Sequence, residues 1–183
     1  HVTMWFAMLI MLVVAVIYGV RHLRTGSLAD DDMAVEFTNG AILFGVIGIT
    51  TGMVWAKFTW GDFWTNDPKL NASAIGLLMY FAYLVLRNSL TDVYQRAKIS
   101  AVYSIFAFAV FIPLIFILPR LTDSLHPGNG GNPGFNAYDM DSSLRTVFYP
   151  AIIGWTLLGT WISTVRVRLR RLERNLEDKL INQ

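Results

Sequence analysis

Apolar residues run along this chain in five long stretches separated by shorter polar ones, at roughly 3–20, 37–57, 71–87, 99–118 and 146–165. A helix needs about 20 predominantly apolar residues to cross the hydrocarbon core of a bilayer. Helices satisfy every backbone group within one segment, which short strands cannot do, so a barrel is not the expectation. The pattern therefore predicts an all-α fold, a polytopic transmembrane helix bundle with five spans present. Pro113 and Pro150 fall inside or beside spans. A kink there is tolerable where neighbouring helices resatisfy the freed carbonyl.

Composition agrees with lipid as the solvent. Of 183 residues, 54% are hydrophobic and 15% are charged, against about 25% charged in soluble domains. With no cysteine, disulfides, thiolate metal sites and thiol redox chemistry are excluded. The first run, "TMWFAMLIMLVVAVIYGV", has no basic segment before it and no small-residue cleavage site after it, so it does not read as a signal peptide. The chain opens on His1 and enters that run at once. It reads as a piece of a longer protein, with six spans expected in the full chain.

The positions of the lysines and arginines predict the orientation. Eleven lie in one set of loops: Arg21, Arg24, Arg87, Arg96, Lys98, Arg166, Arg168, Arg170, Arg171, Arg174 and Lys179. Only Lys57, Lys69, Arg120 and Arg145 lie in the other set. The positive-inside rule places the C-terminal tail in the cytoplasm. His1, the aromatic loop 55–71 and the histidine loop 119–145 are then on the outer face.

Three features meet on that face. Trp55, Trp60, Phe63 and Trp64 lie within ten residues of one another, beside Asp62, Asn66 and Asp67. Single tryptophans anchor helices at the interface, but this density suits a stacking platform for a large planar ligand. A helical stretch would put Trp60, Phe63 and Trp64 on one face; Gly61 and Pro68 favour a loop instead. The second feature is a pair of histidines at one depth, His1 and His126, while His22 sits among the opposite arginines. Two imidazoles suit both axial positions of a haem, whereas zinc would want further ligands. The third is the four outer cations, which either meet the carboxylates of a ligand or pair locally with Asp62, Asp67, Asp123, Asp139 and Asp141.

The tail "RVRLRRLERNLEDKL", residues 166–180, spaces Leu169, Leu172, Leu176 and Leu180 helically between arginines. Its arginines would meet anionic headgroups or dock a cytoplasmic ATPase subunit. The spans hold almost no ionisable residue near their middles, unlike those of a secondary transporter or channel. No glycine-rich phosphate loop is present, so any use of ATP belongs to a partner.

"TGMVWAKFTWGDFWTNDPKLN", residues 51–71, resembles the tryptophan-rich WWD signature of the cytochrome c assembly protein family, the WWD-domain haem-handling proteins. "HVTMWF" and "LHPGNGGNPGFNAYDMDSSLRTVFYPAIIGW" resemble the entry and the outer loop of its CcmC branch, the haem exporter and delivery branch of cytochrome c biogenesis. The chain departs from the family's WWVWD core at Phe63 and Asn66, and "DPKLN" leans toward the CcmF and CcsA branch. The resemblance implies a transmembrane haem-handling domain over residues 1–165 and a basic cytoplasmic tail over 166–183. It implies haem b, transiently bound, with His1 and His126 as axial ligands to the iron. Trp55, Trp60, Phe63, Trp64 and Asp67 would form the haem platform, and Lys69 and Arg145 are candidates for the propionates. The implied function is delivery of haem to a periplasmic haem chaperone resembling CcmE, alongside a CcmA–CcmB transporter. Membrane lipids are further partners and nucleic acid is not one. No residue need act as a catalytic acid or base. The alternative is a haem lyase of the CcsA and CcmF branch, attaching haem to apocytochrome c.

Overall fold

The computed structural model describes residues 1–122, 124–126 and 140–181, without the side chains of Arg120, Glu177, Asp178 and Ile181. The glycine-rich half of the histidine loop, Asp139 and Asp123 lie outside the described residues. Five helices follow in order: α1 (Val2–Thr25), α2 (Leu28–Trp60), α3 (Pro68–Asn88), α4 (Val93–Phe116) and α5 (Ser142–Ile181). A 3-10 turn, Leu118–Arg120, follows α4, and no strand occurs among the described residues. The protein is an all-α, multi-pass membrane bundle. Helices α1 to α4 are each long and apolar enough to cross a membrane. The fifth predicted run is not among them, because Tyr149, Pro150, Trp155 and Trp161 dilute the apolar part of α5.

Local chemistry sets the helix ends. Gly26 closes α1 at φ 68° and Gly61 closes α2 at φ 92°, a left-handed conformation costly for residues with a Cβ. Asp67 caps α3 by accepting from the backbone N–H groups of Lys69 and Leu70, with Pro68 at the first helical position. Asp92 caps α4 in the same manner through Gln95. Such caps satisfy donors that a helix start leaves orphaned.

Helices α1 and α2 form the packing centre: α1 meets α2, α4 and α5, α2 meets all four other helices, and α3 lies against α4 and α2. Ala7, Met8, Met11, Leu12 and Ala15 are fully buried. The outer surface carries Phe58, Leu78, Phe106 and Leu157 in the open, as lipid allows. In lipid, helices associate by close packing rather than by hydrophobic expulsion, and small residues permit it. Gly76 of α3 is the sharpest case: a Cβ there would sit 2.1 Å from Cε2 of Phe111 in α4. Phe111 is itself fully buried and meets Tyr80 edge-on at 5.9 Å. Gly76→Ala is expected to destabilise the bundle by about 1–3 kcal/mol through overpacking. Thermal unfolding in detergent checks this, and an unchanged midpoint would mean that the ring swings aside freely.

At the end of the bundle away from His1, α5 continues past its apolar part and packs along α2. At ~1.5 Å per residue, its 40 residues extend far beyond the ~30 Å hydrocarbon core. Glu36 accepts from Arg166 Nε at 2.5 Å and from Arg170 Nε at 2.8 Å. Asp32 pairs with Arg174, and with Arg171 at 3.6 Å. Asp31 takes both arms of Arg87, at 2.9 and 2.6 Å. Four arginines of the tail thus meet carboxylates of α2. Among the described residues, the exposed large apolar side chains along this part of α5 are Leu169, Leu172, Leu176 and Leu180.

Candidate functional site

At the His1 end, the αL turn at Gly61 makes Trp60 the last helical residue of α2. Trp55 and Trp60, five positions apart, still meet, with ring centroids 5.0 Å apart and planes at 77°. Phe63 and Trp64 fall beyond the turn and stand exposed. Lys57 reaches over the Phe63 ring at 5.6 Å and donates to the Gly61 carbonyl at 2.6 Å. The predicted platform therefore divides into an inner pair of tryptophans and an outer, open pair of rings.

The inner pair faces the histidines. Trp55 lies 5.5 Å from the ring of His1 and 5.9 Å from the ring of His126. Trp60 meets His126 edge-on at 4.8 Å. His1 and His126 both line a cleft with Lys69, Ser73 and the apolar Trp5 and Phe116. A narrower cavity shares His1, Trp5, Lys69 and His126 and adds Trp60 and Gly52. The larger cleft has a cavity volume of ≈ 120 Å³, or ≈ 700 Å³ of empty space when its open mouth is included.

Asp67 holds the site together. Only 1% exposed, it uses one oxygen for the cap of α3 and for Nδ1 of His126 at 2.8 Å. Its other oxygen accepts from Ser124 Oγ at 2.8 Å and from the Leu125 N–H at 2.7 Å. Burial by itself would raise this carboxyl, but the Ser124 and Leu125 hydrogen bonds, with His126 beside it, hold it below the ordinary carboxylate range. Burial pushes the His126 imidazole below its ordinary value, and Lys69 adds to this against the opposing pull of Asp67. A neutral imidazole whose Nδ1–H donates a hydrogen bond to Asp67 leaves Nε2 with a free lone pair, which is the arrangement of a metal-binding histidine and its carboxylate partner.

The residues that the sequence picks out have distinct places here. His1, His126, Trp60 and Lys69 line the clefts, and Trp55 touches both imidazoles. Asp67 lies behind His126 rather than on the ring platform. Arg145, in the first turns of α5, lines neither cleft. Trp5 does not stand out in the sequence, since a tryptophan near the start of a span reads as an interfacial anchor. Its only sequence signal is the i, i+4 spacing from His1.

The family model described as "CcmC: Heme exporter protein C" matches residues 1–182. Heme exporter protein C of Haemophilus influenzae is 24% identical over 172 residues, covering 92% of this chain and 65% of that protein. Its counterpart in Bradyrhizobium diazoefficiens is 27% identical over 138 residues, covering 73% of this chain and 51% of that protein. A cytochrome c biogenesis protein CcsA from Parasynechococcus marenigrum is 35% identical over 89 residues, covering 49% of this chain and 29% of that protein. The chain spans 50% to 65% of the length of the heme exporter proteins of Escherichia coli and Haemophilus influenzae that it matches. With nearly its whole length matched by one family model, over the same residues that build the histidine cleft, the chain belongs to the heme exporter protein C (CcmC) family.

Proposed function

We propose that this protein takes up haem at the His1 end of the bundle and presents it to a periplasmic haem chaperone resembling CcmE during cytochrome c maturation. The observation that carries the reading is that His1 and His126 line one cleft, with Trp55 against both rings. The donor set fits the cargo: two imidazoles for the iron, indoles for the ring, and Lys69 at the rim for a propionate. Arg145 is a more distant propionate candidate, and Phe63 and Trp64 would meet a ring only where it extends past the cleft.

The size of the cleft bears on the role. Sites that enclose small molecules measure about 300–1,000 Å³, and this one measures ≈ 120 Å³. A tetrapyrrole held by these residues keeps much of its edge outside, which suits hand-over better than permanent residence. Two nitrogen ligands would also close the iron to dioxygen. In this reading the cleft faces the periplasm, α5 ends in the cytoplasm of the inner membrane, and a CcmA–CcmB transporter is the neighbouring machinery. The apolar part of α5 is the fifth span.

Haem lyase activity is the second reading, favoured by the 35% identity to the CcsA protein over 49% of this chain. A reconstitution with haem and apocytochrome c separates the two: attachment without any chaperone would establish the lyase. The test of the first reading is spectroscopic. Full-length protein from haem-replete membranes is expected to show a six-coordinate, low-spin haem, and His126→Ala to lose most of it. Wild-type protein free of haem under those conditions would overturn the reading.

A further inference from the structure

The opposite end of the bundle holds a second cavity, ≈ 390 Å³, between the ends of α2, α3, α4 and α5. Four guanidiniums line it, those of Arg87, Arg96, Arg170 and Arg174, against the two carboxylates of Asp31 and Glu173. The surrounding ion pairs do not balance this excess. Glu36 is shared by Arg166 and Arg170, and Asp32 by Arg171 and Arg174, so each carboxylate serves two cations. Of the four lining guanidiniums, Arg87 alone is matched one to one among the described residues, by Asp31. Arg96 is half-buried and makes no side-chain hydrogen bond or ion pair among the described residues.

We propose that this cavity binds the phosphate of an anionic phospholipid. A guanidinium fork matches a phosphate in geometry and charge, and a partly dehydrated cluster of cations gains from a further anion. Its depth selects lipid over a soluble anion. The lining residues stand where the apolar runs end: Arg87 in the last turn of α3, Arg96 in the first turn of α4. That is the level of headgroups, whichever leaflet is involved. Val93 and Tyr94, at the same mouth, are 39% and 65% exposed, offering apolar surface and an interfacial aromatic to the glycerol and upper chains. Basic pockets between spans are a recurring form of headgroup site. The volume also lies within the ~300–1,000 Å³ that small-molecule sites occupy. This site is independent of the histidine cleft and does not rest on the haem reading.

The experiment uses delipidated full-length protein in neutral detergent, titrated with phosphatidylglycerol or phosphatidylcholine of identical acyl chains, with bound lipid counted by native mass spectrometry. Phosphatidylglycerol is expected to bind about tenfold more tightly. Arg96→Gln should remove most of that preference, Arg96→Lys should keep part of it, and Arg168→Gln, exposed and off the cavity, should leave it intact. Equal affinity for the two lipids overturns the proposal, as does a preference untouched by both Arg96 variants. Saturation by inorganic phosphate with no preference between lipids also overturns it, by assigning the cavity to a soluble anion.

Discussion

Asp67→Asn is expected to lower the haem retained per protein about ten- to a hundredfold, the usual cost of losing a carboxylate behind a metal-binding histidine. Both Asp67 oxygens are in use. One serves the Lys69 and Leu70 N–H groups and His126 Nδ1; the other serves Ser124 Oγ and the Leu125 N–H. An asparagine has a single acceptor oxygen. Either the cap and His126 keep it, or Ser124 and Leu125 do. Whichever loses is left with a buried donor facing an NH₂ group, at about 1–3 kcal/mol. Haem absorbance per protein, read beside the unfolding midpoint, separates the roles. A fall in stability with haem retention unchanged would make Asp67 a helix cap and nothing more. The carboxyl also imposes an acid limit. Its folded pKa lies below the ordinary 3.8, so the stability it contributes is complete above that value and is lost as the pH falls through the folded pKa.

The second large effect lies at the other end. Arg87→Met should destabilise the bundle by about 3–5 kcal/mol, because it leaves Asp31 buried without its partner. Both side chains of the pair are 7% exposed, and the guanidinium meets the carboxylate through two bonds. The matching double variant, Asp31→Leu with Arg87→Met, should recover most of the loss, since a well-packed apolar pair often replaces a buried ion pair at little cost. Denaturation in detergent of the two single variants and the double variant measures the coupling. A double variant as unstable as Arg87→Met would assign the loss to packing rather than charge.

Much of the architecture is legible along the chain because its signals are local. Five apolar runs fall on five helices, and Gly61 and Pro68, adjacent to the helix ends, mark a loop between them. The extent of α2 and the packing of the α5 tail are not legible in the same way. Both helices run past their apolar parts, through "ADDDM" and "RVRLRRLER"; the leucine spacing of the tail indicates a helix there, but nothing local shows what it packs against. They stay helical and packed because acids on one helix meet arginines on the other some 130 to 142 positions away. The same holds for the site. His1 and His126 can be picked out from residue type and depth, but nothing local places Trp5 in the cleft or shows that Phe63 and Trp64 stand outside it.

Residue order alone determined that this is a helical membrane protein with an aromatic loop and two histidines at one end, since hydropathy, turn residues and motif spacing are properties of neighbours. Only the tertiary structure decided that Trp55 touches both imidazoles, that Asp67 fixes His126 from 59 positions away, and that the arginines of α5 close on α2. Those are contacts between segments, and a buried carboxylate or ring acquires its chemistry from whatever the fold brings against it.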